Sequence, residues 1–478
     1  MKLRVQNLFV VLAIFGSLHQ TNATTIFPIA TNANIIEFGG GIASSGSNYL
    51  VGFFQNQTNP CVQLVSTNGS LIGPVLTIGE SEGSSLVAAS KNTYLAFWAS
   101  DNASNGVDVF GQLISFNGTA TGPAFPLLTN VSGLLGGQAE STIGFDGTNF
   151  MAVCEAVDES QNTIFNFYGQ LVTPSGTLQG TNFLMSSTLT NEQSDTHSVL
   201  VFGVTNYLFV WEMPSNGPPG EWETYGRFVS RTGSAGALFQ ISQTASLDYK
   251  PPAAAFDGTN FFVIMNTDTA QTASGAPVWN LYGRLVSLSG TFPGNELLLN
   301  TNQAVVGSLA FDGANYLLGW GFDTFTTNTD KSAFFQFYNR SVNPIGPPFS
   351  PFQAQGTNYP IFGVILFDGR KIVIGGALGN LIVSTNGSIK ALASGAIYGA
   401  FIPASTAPPT LTASNLVGTQ FPLQLTGTPG INYAIQISTN LALSSWTAVF
   451  TNSPTNGTFN FTDTSATNKS RFYRALKQ

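Results

Sequence analysis

Hydrophobic and polar positions alternate along most of the chain in short runs separated by turn-forming residues. The clearest pattern is an apolar run, an Asp-Gly pair and a second apolar run, spelled FDGTNF at 145–150 and at 256–261 and FDGANY at 311–316. Asp and Gly tolerate the positive φ that a tight turn between antiparallel strands requires, so this pattern predicts a β-hairpin. No stretch carries a convincing helical period, and we therefore predict an all-β protein.

The hairpin pattern recurs along the chain at intervals close to 55 residues. The copies begin at Ser44, Ala88, Gly144, Val201, Ala255, Ala310 and Leu366. A second phrase follows most copies, for example FYGQLVT at 167–173 and LYGRLVS at 281–287, and it alternates as a strand does. A turn such as SPSGT-like TPSGT at 173–177 and a fourth apolar run complete each unit. Each repeat is thus predicted to contain four short antiparallel strands.

A period of 40 to 60 residues built from four strands is typical of a β-propeller, in which each repeat forms one radial blade. The seven hairpins predict seven blades. Six blades are the alternative, because the seventh copy is irregular and is followed by a stray IYGAF at 397–401. The segment TIFPIAT at 25–31 precedes the first full repeat, and we predict that it supplies the missing fourth strand of the last blade.

Composition divides the chain into four parts. Residues 1–23 have Lys2 and Arg4, an apolar centre and small residues up to Ala23, which predicts a signal peptide. The propeller is predicted over 24–403, and a linker of small residues and prolines over 404–410. Short alternating strands over 411–478 predict a small β-sandwich.

Both folded parts resemble segments of known exported proteins. The FDGTNF and YGQLV phrases, over 42–403, resemble the blades of uncharacterised exported bacterial propeller proteins. The phrases NYAIQIST, FTD and RFYRAL, over 411–478, resemble the immunoglobulin-like or fibronectin type III-like C-terminal modules of Verrucomicrobia and Planctomycetes proteins. The resemblance implies a fold and export, and it implies no reaction.

Charge and hydropathy narrow the partners. Charged residues make up 8% of the chain, with a net charge of −8, and phosphate binding needs clustered Lys and Arg, so we expect no nucleic-acid partner. No run after the leader reaches the length of a membrane helix, so we expect no membrane insertion. We therefore expect a monomer that is secreted, periplasmic or on the cell surface.

Few residues suggest catalysis or metal binding. The predicted mature chain has one histidine, His197, and no nucleophile motif near it. The recurring aspartates Asp146, Asp257, Asp312 and Asp368 stand alone, whereas calcium sites need several carboxylates at alternate positions, so we interpret them as turn formers. Cys61 and Cys154 lie in different repeats, and we predict two separate thiols. We predict no metal and no cofactor.

Two further repeated residue types favour structural roles. Arg227, Arg284 and Arg340 recur in the second phrase, beside Gln112 and Gln170. The tryptophans of the hairpins, among them Trp98, Trp211 and Trp320, are interpreted as aromatic residues of the blade core.

Acidic residues collect where the sequence predicts variable loops, which open on one face of a propeller. The candidate binding residues on this face are Asp101, Glu155, Asp158, Glu212, Glu223, Asp268 and Asp323. Binding sites in such proteins often lie on loops over a rigid scaffold. Solvated loop charges without a function are the alternative interpretation.

The leading hypothesis is an exported, non-enzymatic binding or scaffold protein that contacts a polysaccharide or a surface protein through this face. The alternative is a carbohydrate-active enzyme, a glycosidase or lyase. It would use two loop carboxylates such as Glu155 and Glu212 as acid and base, since glycoside hydrolysis needs a pair of carboxyl groups roughly 5 to 10 Å apart.

Overall fold

The structure is a computed structural model, and it describes a large part of the chain. The described residues are 8–11, 25–35, 40–55, 59–80, 85–102, 106–127, 141–157, 165–186, 198–215, 220–247, 250–271, 277–301, 304–322, 333–350, 358–369, 371–383, 389–403, 410–413, 420–427, 432–439, 446–453, 458–465 and 470–477. The chain forms two compact units, of which one comprises mainly residues 23–403 and the other mainly residues 404–478 with 1–22.

The larger unit consists of seven four-stranded antiparallel sheets, here called blades 1 to 7. After β1 (Leu8–Val11) and β2 (Thr25–Ile35), the strands of blades 1 to 3 are β3 (Ile42–Ser44), β4 (Asn48–Gln55), β5 (Asn59–Ser66), β6 (Leu71–Thr77); β7 (Leu86–Ala89), β8 (Thr93–Asn102), β9 (Gly106–Ser115), β10 (Ala120–Pro126); β11 (Ser141–Phe145), β12 (Phe150–Val157), β13 (Phe165–Val172) and β14 (Leu178–Leu184).

Blades 4 to 7 continue the same order of strands. They contain β15 (Ser198–Phe202), β16 (Asn206–Pro214), β17 (Trp222–Ser230), β18 (Ala235–Gln240); β19 (Ala253–Phe256), β20 (Asn260–Gln271), β21 (Pro277–Ser287), β22 (Leu297–Asn300); β23 (Ala304–Phe311), β24 (Tyr316–Phe322), β25 (Phe334–Tyr338), β26 (Pro344–Phe349); β27 (Asn358–Phe367), β28 (Lys371–Val383) and β29 (Ile389–Pro403), with β2 as the fourth strand of blade 7.

The first strand of each blade lies beside the first strand of the next, and β27 of blade 7 lies beside β3 of blade 1. The seven sheets therefore close into a ring, which is a β-propeller with seven blades, as the sequence predicted. The six-bladed alternative is wrong. Because the strands are antiparallel, the turns within the first and second hairpins of all blades lie at one end, here the turn end. The connections between second and third strands and between blades lie at the other end, here the loop end.

Blade 7 combines strands from the two ends of the propeller. Strand β2 pairs antiparallel with β29, with Thr25 opposite Phe401 and Phe27 opposite Gly399. The IYGAF phrase that looked stray in the sequence is thus the third strand of blade 7. A Cβ atom placed on Gly399 would lie 2.2 Å from the ring of Phe27, so only glycine leaves room for that ring.

The Asp-Gly pairs form the predicted turns. The Oδ1 atom of Asp257 accepts the backbone N–H groups of Thr259 and Asn260, each at 2.7 Å, and Gly258 has φ of +92°. Asp146 makes the same two bonds at its own turn, also at 2.7 Å. The aspartates therefore cap their own turns, which explains why they recur without partner carboxylates.

The same turns contact the following blade, a role that the sequence did not indicate. The hydroxyl of Tyr49 in blade 1 donates to Oδ2 of Asp368 in blade 7. Burial, and next the carboxylate of Asp146 in the preceding blade, raise the pKa of Tyr207. Where blade 4 has Gly203 in place of the aspartate, blade 5 has a phenylalanine, and a Cβ atom on Gly203 would lie 2.7 Å from the ring of Phe261.

Aromatic and sulfur side chains fill the spaces within and between blades. Trp98, Trp211 and Trp320 are each at most 3% exposed and belong to hydrophobic clusters, which confirms their predicted packing role. Cys61 and Cys154 are both buried and free, as predicted.

The repeated polar position of the third strand is also structural. Arg227 donates to the carbonyl of Met185 at 3.0 Å and Arg284 to that of Ile241 at 2.5 Å, and both carbonyls belong to the preceding blade. Arg340 does not occupy this position, because β25 ends at Tyr338 and Gln336 takes it, donating to the carbonyl of Gly346. The sequence alignment of Arg340 with the other two arginines was therefore wrong.

The smaller unit is a two-sheet β-sandwich. Its strands are β30 (Thr410–Ala413), β31 (Phe421–Thr426), β32 (Tyr433–Ser438), β33 (Thr447–Asn452), β34 (Thr458–Asp463) and β35 (Ser470–Lys477). One sheet has the order β30-β31-β34 and the other β1-β35-β32-β33, with β1 parallel to β35. Leu425, Tyr433, Ile435 and Tyr473 are fully buried between the sheets. Most of the predicted linker, 404–409, lies outside the described residues.

Candidate functional site

Most of the predicted acidic residues lie on strands and not on loops. Asp101 is in β8, Glu155 in β12, Glu212 in β16, Glu223 in β17 and Asp268 in β20. These strands pair further toward the loop end than the apolar alternation predicted, since polar residues continue the backbone ladder. Asp158 and Asp323 lie outside the described residues, as does His197.

Three of these side chains are almost fully buried. Glu155 is 5% exposed, Glu212 is 2% exposed and Asp268 is 1% exposed. For these three, the interpretation as solvated loop charges is wrong. Burying a charge is costly unless the group is bonded, so their partners indicate their roles.

Glu155 and Glu212 occupy equivalent positions of neighbouring blades, five residues after Phe150 and Tyr207. In blade 5 the equivalent residue is Asn266, which is 1% exposed. The Oε2 atom of Glu212 accepts the backbone N–H of Lys250 at 3.0 Å, and the amide of Asn266 donates to the carbonyl of Pro251 at 2.7 Å. Both side chains thus hold the segment that leads into blade 5.

Asp268 fixes the same segment from the opposite side. Its Oδ1 atom accepts the backbone N–H of Val278 at 2.9 Å, across the hairpin of β20 and β21. Its own backbone N–H donates to Oγ of Ser246 at 2.8 Å, and its carbonyl accepts the N–H of Leu247 at 2.9 Å. The carboxylate and the backbone of Asp268 therefore tie the long hairpin of blade 5 to the connection that precedes the blade.

An aromatic and a cationic side chain complete this region. The ammonium nitrogen of Lys250 lies 5.5 Å from the ring centroid of Trp279, and Trp279 is fully buried. In blade 4 the hydroxyl of Tyr225 donates to Oε2 of Glu223 at 2.6 Å. Burial first, and then Glu223, raise the pKa of Tyr225 to about 12. The loop end of blades 4 and 5 is thus a bonded, rigid surface.

The structure brings Glu212, Glu223 and Asp268 into these two adjacent blades. It places Asp101 in blade 2, where its backbone is opposite Val107. Among the residues that the structure describes, no three His, Cys, Asp or Glu side chains are placed to hold a metal ion. No helix in the described part of the chain is long and apolar enough to cross a membrane.

No protein-family model and no curated protein sequence matches the chain. Solved structures that resemble it include the Dos1 propeller, with 9% sequence identity, a TM-score of 0.43, and coverage of 79% of this chain and 95% of that chain. The β-propeller domain of the Trilobed protease from Pyrococcus furiosus has 7% identity, a TM-score of 0.40, and coverage of 75% and 94%. A subtype N11 neuraminidase-like protein of A/flat-faced bat/Peru/033/2010 has 8% identity, a TM-score of 0.41, and coverage of 81% and 95%.

Sequence reasoning missed the residues that support the acids, namely Ser246, Lys250, Asn266 and Trp279. The position of Asn266 was within reach, because it follows its hairpin aromatic by the same five residues as Glu155 and Glu212. Lys250 and Ser246 lie in the irregular segment between blades 4 and 5, where no repeat gives a register.

Proposed function

We propose that the chain is an exported binding or scaffold protein without enzymatic activity, which contacts a polysaccharide or a surface protein through the loop end of the propeller. The supporting observation is the state of the buried acids in blades 4 and 5. Glu212 and Asp268 each accept a backbone N–H from another segment, so their carboxylates stabilise the shape of the face. A general acid or base must instead reach the proton that it transfers.

A rigid face with exposed apolar positions is suited to binding. Leu247 at the loop end is 46% exposed, although its backbone N–H is bonded to Asp268. An apolar side chain on a fixed backbone loses little conformational entropy when a ligand covers it, which favours binding. The predicted leader supports export, and we propose that the mature protein acts as a monomer that is secreted, periplasmic or on the cell surface.

The test compares two substitutions at opposite ends of the propeller. The mature chain, 24–478, is screened on a glycan array and against candidate surface proteins, and binding of the hits is measured by surface plasmon resonance. We expect Leu247→Arg to weaken binding by about tenfold or more, while Val204→Arg, equally exposed at the turn end, leaves it unchanged. Equal loss in both variants, or no loss in Leu247→Arg, would refute the proposed face.

The enzyme alternative has a test of its own. Glu155 and Glu212 are equivalent residues of adjacent blades, and the alternative gives them acid and base roles. If a bound glycan is cleaved by the wild-type chain and Glu212→Gln abolishes cleavage with an unchanged melting temperature, the binding-only proposal is wrong. We expect no new reducing ends from either protein.

A further inference from the structure

Five of the seven blades carry a phenylalanine immediately before the turn of the first hairpin. In four of them its ring packs on the aromatic residue directly opposite in the second strand. The ring centroids are 4.9 Å apart for Phe145 and Phe150, 4.9 Å for Phe202 and Tyr207, 4.7 Å for Phe256 and Phe261, and 5.1 Å for Phe311 and Tyr316. Phe367 holds the same register position in blade 7.

Blades 1 and 2, which are neighbours, break this pattern. Ser44 is opposite Tyr49 in blade 1, and Ala89 is opposite Tyr94 in blade 2. Tyr94 packs instead on Phe116, with ring centroids 4.9 Å apart. Two adjacent phenylalanine rings are therefore absent from the inner wall of the propeller at its turn end.

A cavity of about 550 Å³ opens at this place. It is lined by the ends of the innermost strands of blades 7, 1, 2 and 3, with Ser44 and Ala89 in the middle and Phe367 and Phe145 on the two sides. Its volume lies within the range of small-molecule sites, which is roughly 300 to 1,000 Å³. The cavity thus follows from the two missing rings, and its place in the ring can be read from the repeat pattern.

The walls of the cavity combine apolar and polar groups. Ile42, Val87, Ile143 and Leu366 supply aliphatic surface, and Ser44, Ser45 and Ser90 supply hydroxyl groups. The innermost strands are also sheet edges, whose backbone N–H and C=O groups face the axis of the ring.

The two charged residues of the lining differ in their availability to a ligand. The carboxylate of Asp368 accepts the Tyr49 hydroxyl and, at 2.8 Å, the backbone N–H of Lys371. Lys91 is exposed, and its ammonium group can donate three hydrogen bonds. The cavity therefore presents a cation at its rim, while its carboxylate is already bonded within the protein.

We propose that this cavity is a second binding site, at the turn end, for a sugar unit that carries a carboxylate, such as a hexuronate. The aliphatic walls and the flanking phenylalanine rings fit the C–H surface of a sugar ring. The serine hydroxyls and the strand edges bind its hydroxyl groups, and Lys91 binds the carboxylate. This site is independent of the loop-end face, and its success or failure does not decide the function proposed for that face.

The experiment compares matched sugars that differ in one group. Glucuronate and galacturonate are titrated against the mature chain beside glucose and galactose, with binding followed by saturation-transfer NMR at low salt. We expect the uronates to bind roughly threefold more tightly than their neutral parents, as an exposed ion pair allows, and Lys91→Gln to remove that difference.

Two substitutions restore the phenylalanine of the repeat and fill the cavity. We expect Ala89→Phe to remove binding of all four sugars while the melting temperature is kept or raised, because the new ring packs on Tyr94 as Phe202 packs on Tyr207. Ser44→Phe makes the same change in blade 1 if Ala89→Phe does not fold. Val204→Phe, which adds a ring to the exposed turn of blade 4, is the control and should bind like the wild type.

Three results would overturn the proposal. These are no binding of either uronate to the wild-type chain, equal affinity for uronates and neutral sugars, and unchanged binding in a folded cavity-filling variant. Loss of sugar binding in Ala89→Phe with unchanged partner binding at Leu247 would confirm that the two sites are separate.

Discussion

At the scale of single residues, the aspartate of the Asp-Gly turn has two contacts that belong to different levels of the structure. Its Oδ1 atom caps the turn, which the sequence predicted. Its other oxygen is directed toward the next blade, where Tyr49 donates to Asp368 and burial and Asp257 raise the pKa of Tyr316. The second contact depends on which blade is the neighbour, and a local sequence pattern does not contain that information.

The turn glycines allow backbone strain to be measured without steric clashes. Gly258 has φ of +92°, and a Cβ atom there would meet nothing within 4 Å. Gly258→Ala should therefore destabilise the propeller by about 1 kcal/mol through the backbone alone. The matched control is Gly321→Ala, which also has open space but no positive φ, and should be neutral or slightly stabilising. Urea denaturation of both variants checks this, and equal effects would contradict it.

Because the turn aspartates bind backbone N–H groups, calcium should not stabilise the protein. We expect the same melting temperature with excess calcium and with chelator, for the wild type and for Asp146→Asn. The substitution itself should cost about 1 kcal/mol, since it replaces a charged acceptor at two backbone N–H groups. A rise of several degrees with calcium that disappears in Asp146→Asn would show instead that these turns are metal sites.

At the scale of strands, blade 7 is the place where the ring depends on one element. Phe27 of β2 packs on Phe401, with ring centroids 4.4 Å apart, and its ring also fills the space above Gly399. A Cβ atom on Gly69, in the adjacent blade 1, would lie 2.7 Å from the same ring. One side chain therefore joins the closing strand to both blades at the seam.

Phe27→Ala should destabilise the propeller by roughly 3 kcal/mol, because a buried aromatic ring is replaced by a cavity. Ile26→Ala is the control in the same strand, since Ile26 is 46% exposed, and should change stability by less than about 0.5 kcal/mol. Thermal melts and limited proteolysis at the seam measure both. Similar losses in the two variants would mean that pairing of the strand, and not the ring of Phe27, holds the seam.

Strand pairing explains which expectations from the sequence were confirmed. The hairpins, the blade count and the closing role of 25–31 follow from turn chemistry and from the repeat length, which are local. IYGAF at 397–401 was not recognised as a regular strand because its partner lies at the other end of the propeller. The acids of blades 4 and 5 were assigned to loops because apolar alternation stops before backbone pairing does. Ser44 and Ala89 were visible as departures from Phe, but only the ring places them side by side.

At the scale of the whole molecule, the propeller and the sandwich are separate compact units with separate cores. The sandwich has a buried ion pair, in which Nε of Arg471 lies 2.8 Å from Oδ2 of Asp463. Burial alone would raise the pKa of Asp463, but hydrogen bonds from Ser465 and Tyr473, together with Arg471, lower it. A lowered carboxyl pKa stabilises the folded state above the ordinary pKa, and this stabilisation is lost as the pH falls toward the folded value.

Calorimetry should therefore resolve two unfolding transitions, and acidification below about pH 5 should remove this contribution from the transition of the sandwich. Asp463→Asn should lower that transition by about 3 kcal/mol, because Arg471 stays buried without its partner charge, and should leave the propeller transition unchanged. A single transition, or a shift of both transitions in Asp463→Asn, would show that the two units unfold together.

The pairing of β2 with β29 also determines the order in which the protein can fold. More than 370 residues separate Thr25 from Phe401, so the closing strand is synthesised first and finds its partner last. Blades 1 to 6 each pair strands that are near in sequence and can form as they emerge, whereas closure joins the most distant segments and is expected to be the slow step. Until then the growing propeller is an open arc with an unpaired strand, and such edges are templates for aggregation. A chain interrupted before Ile389 would therefore be more dangerous to the cell than one interrupted after Pro403.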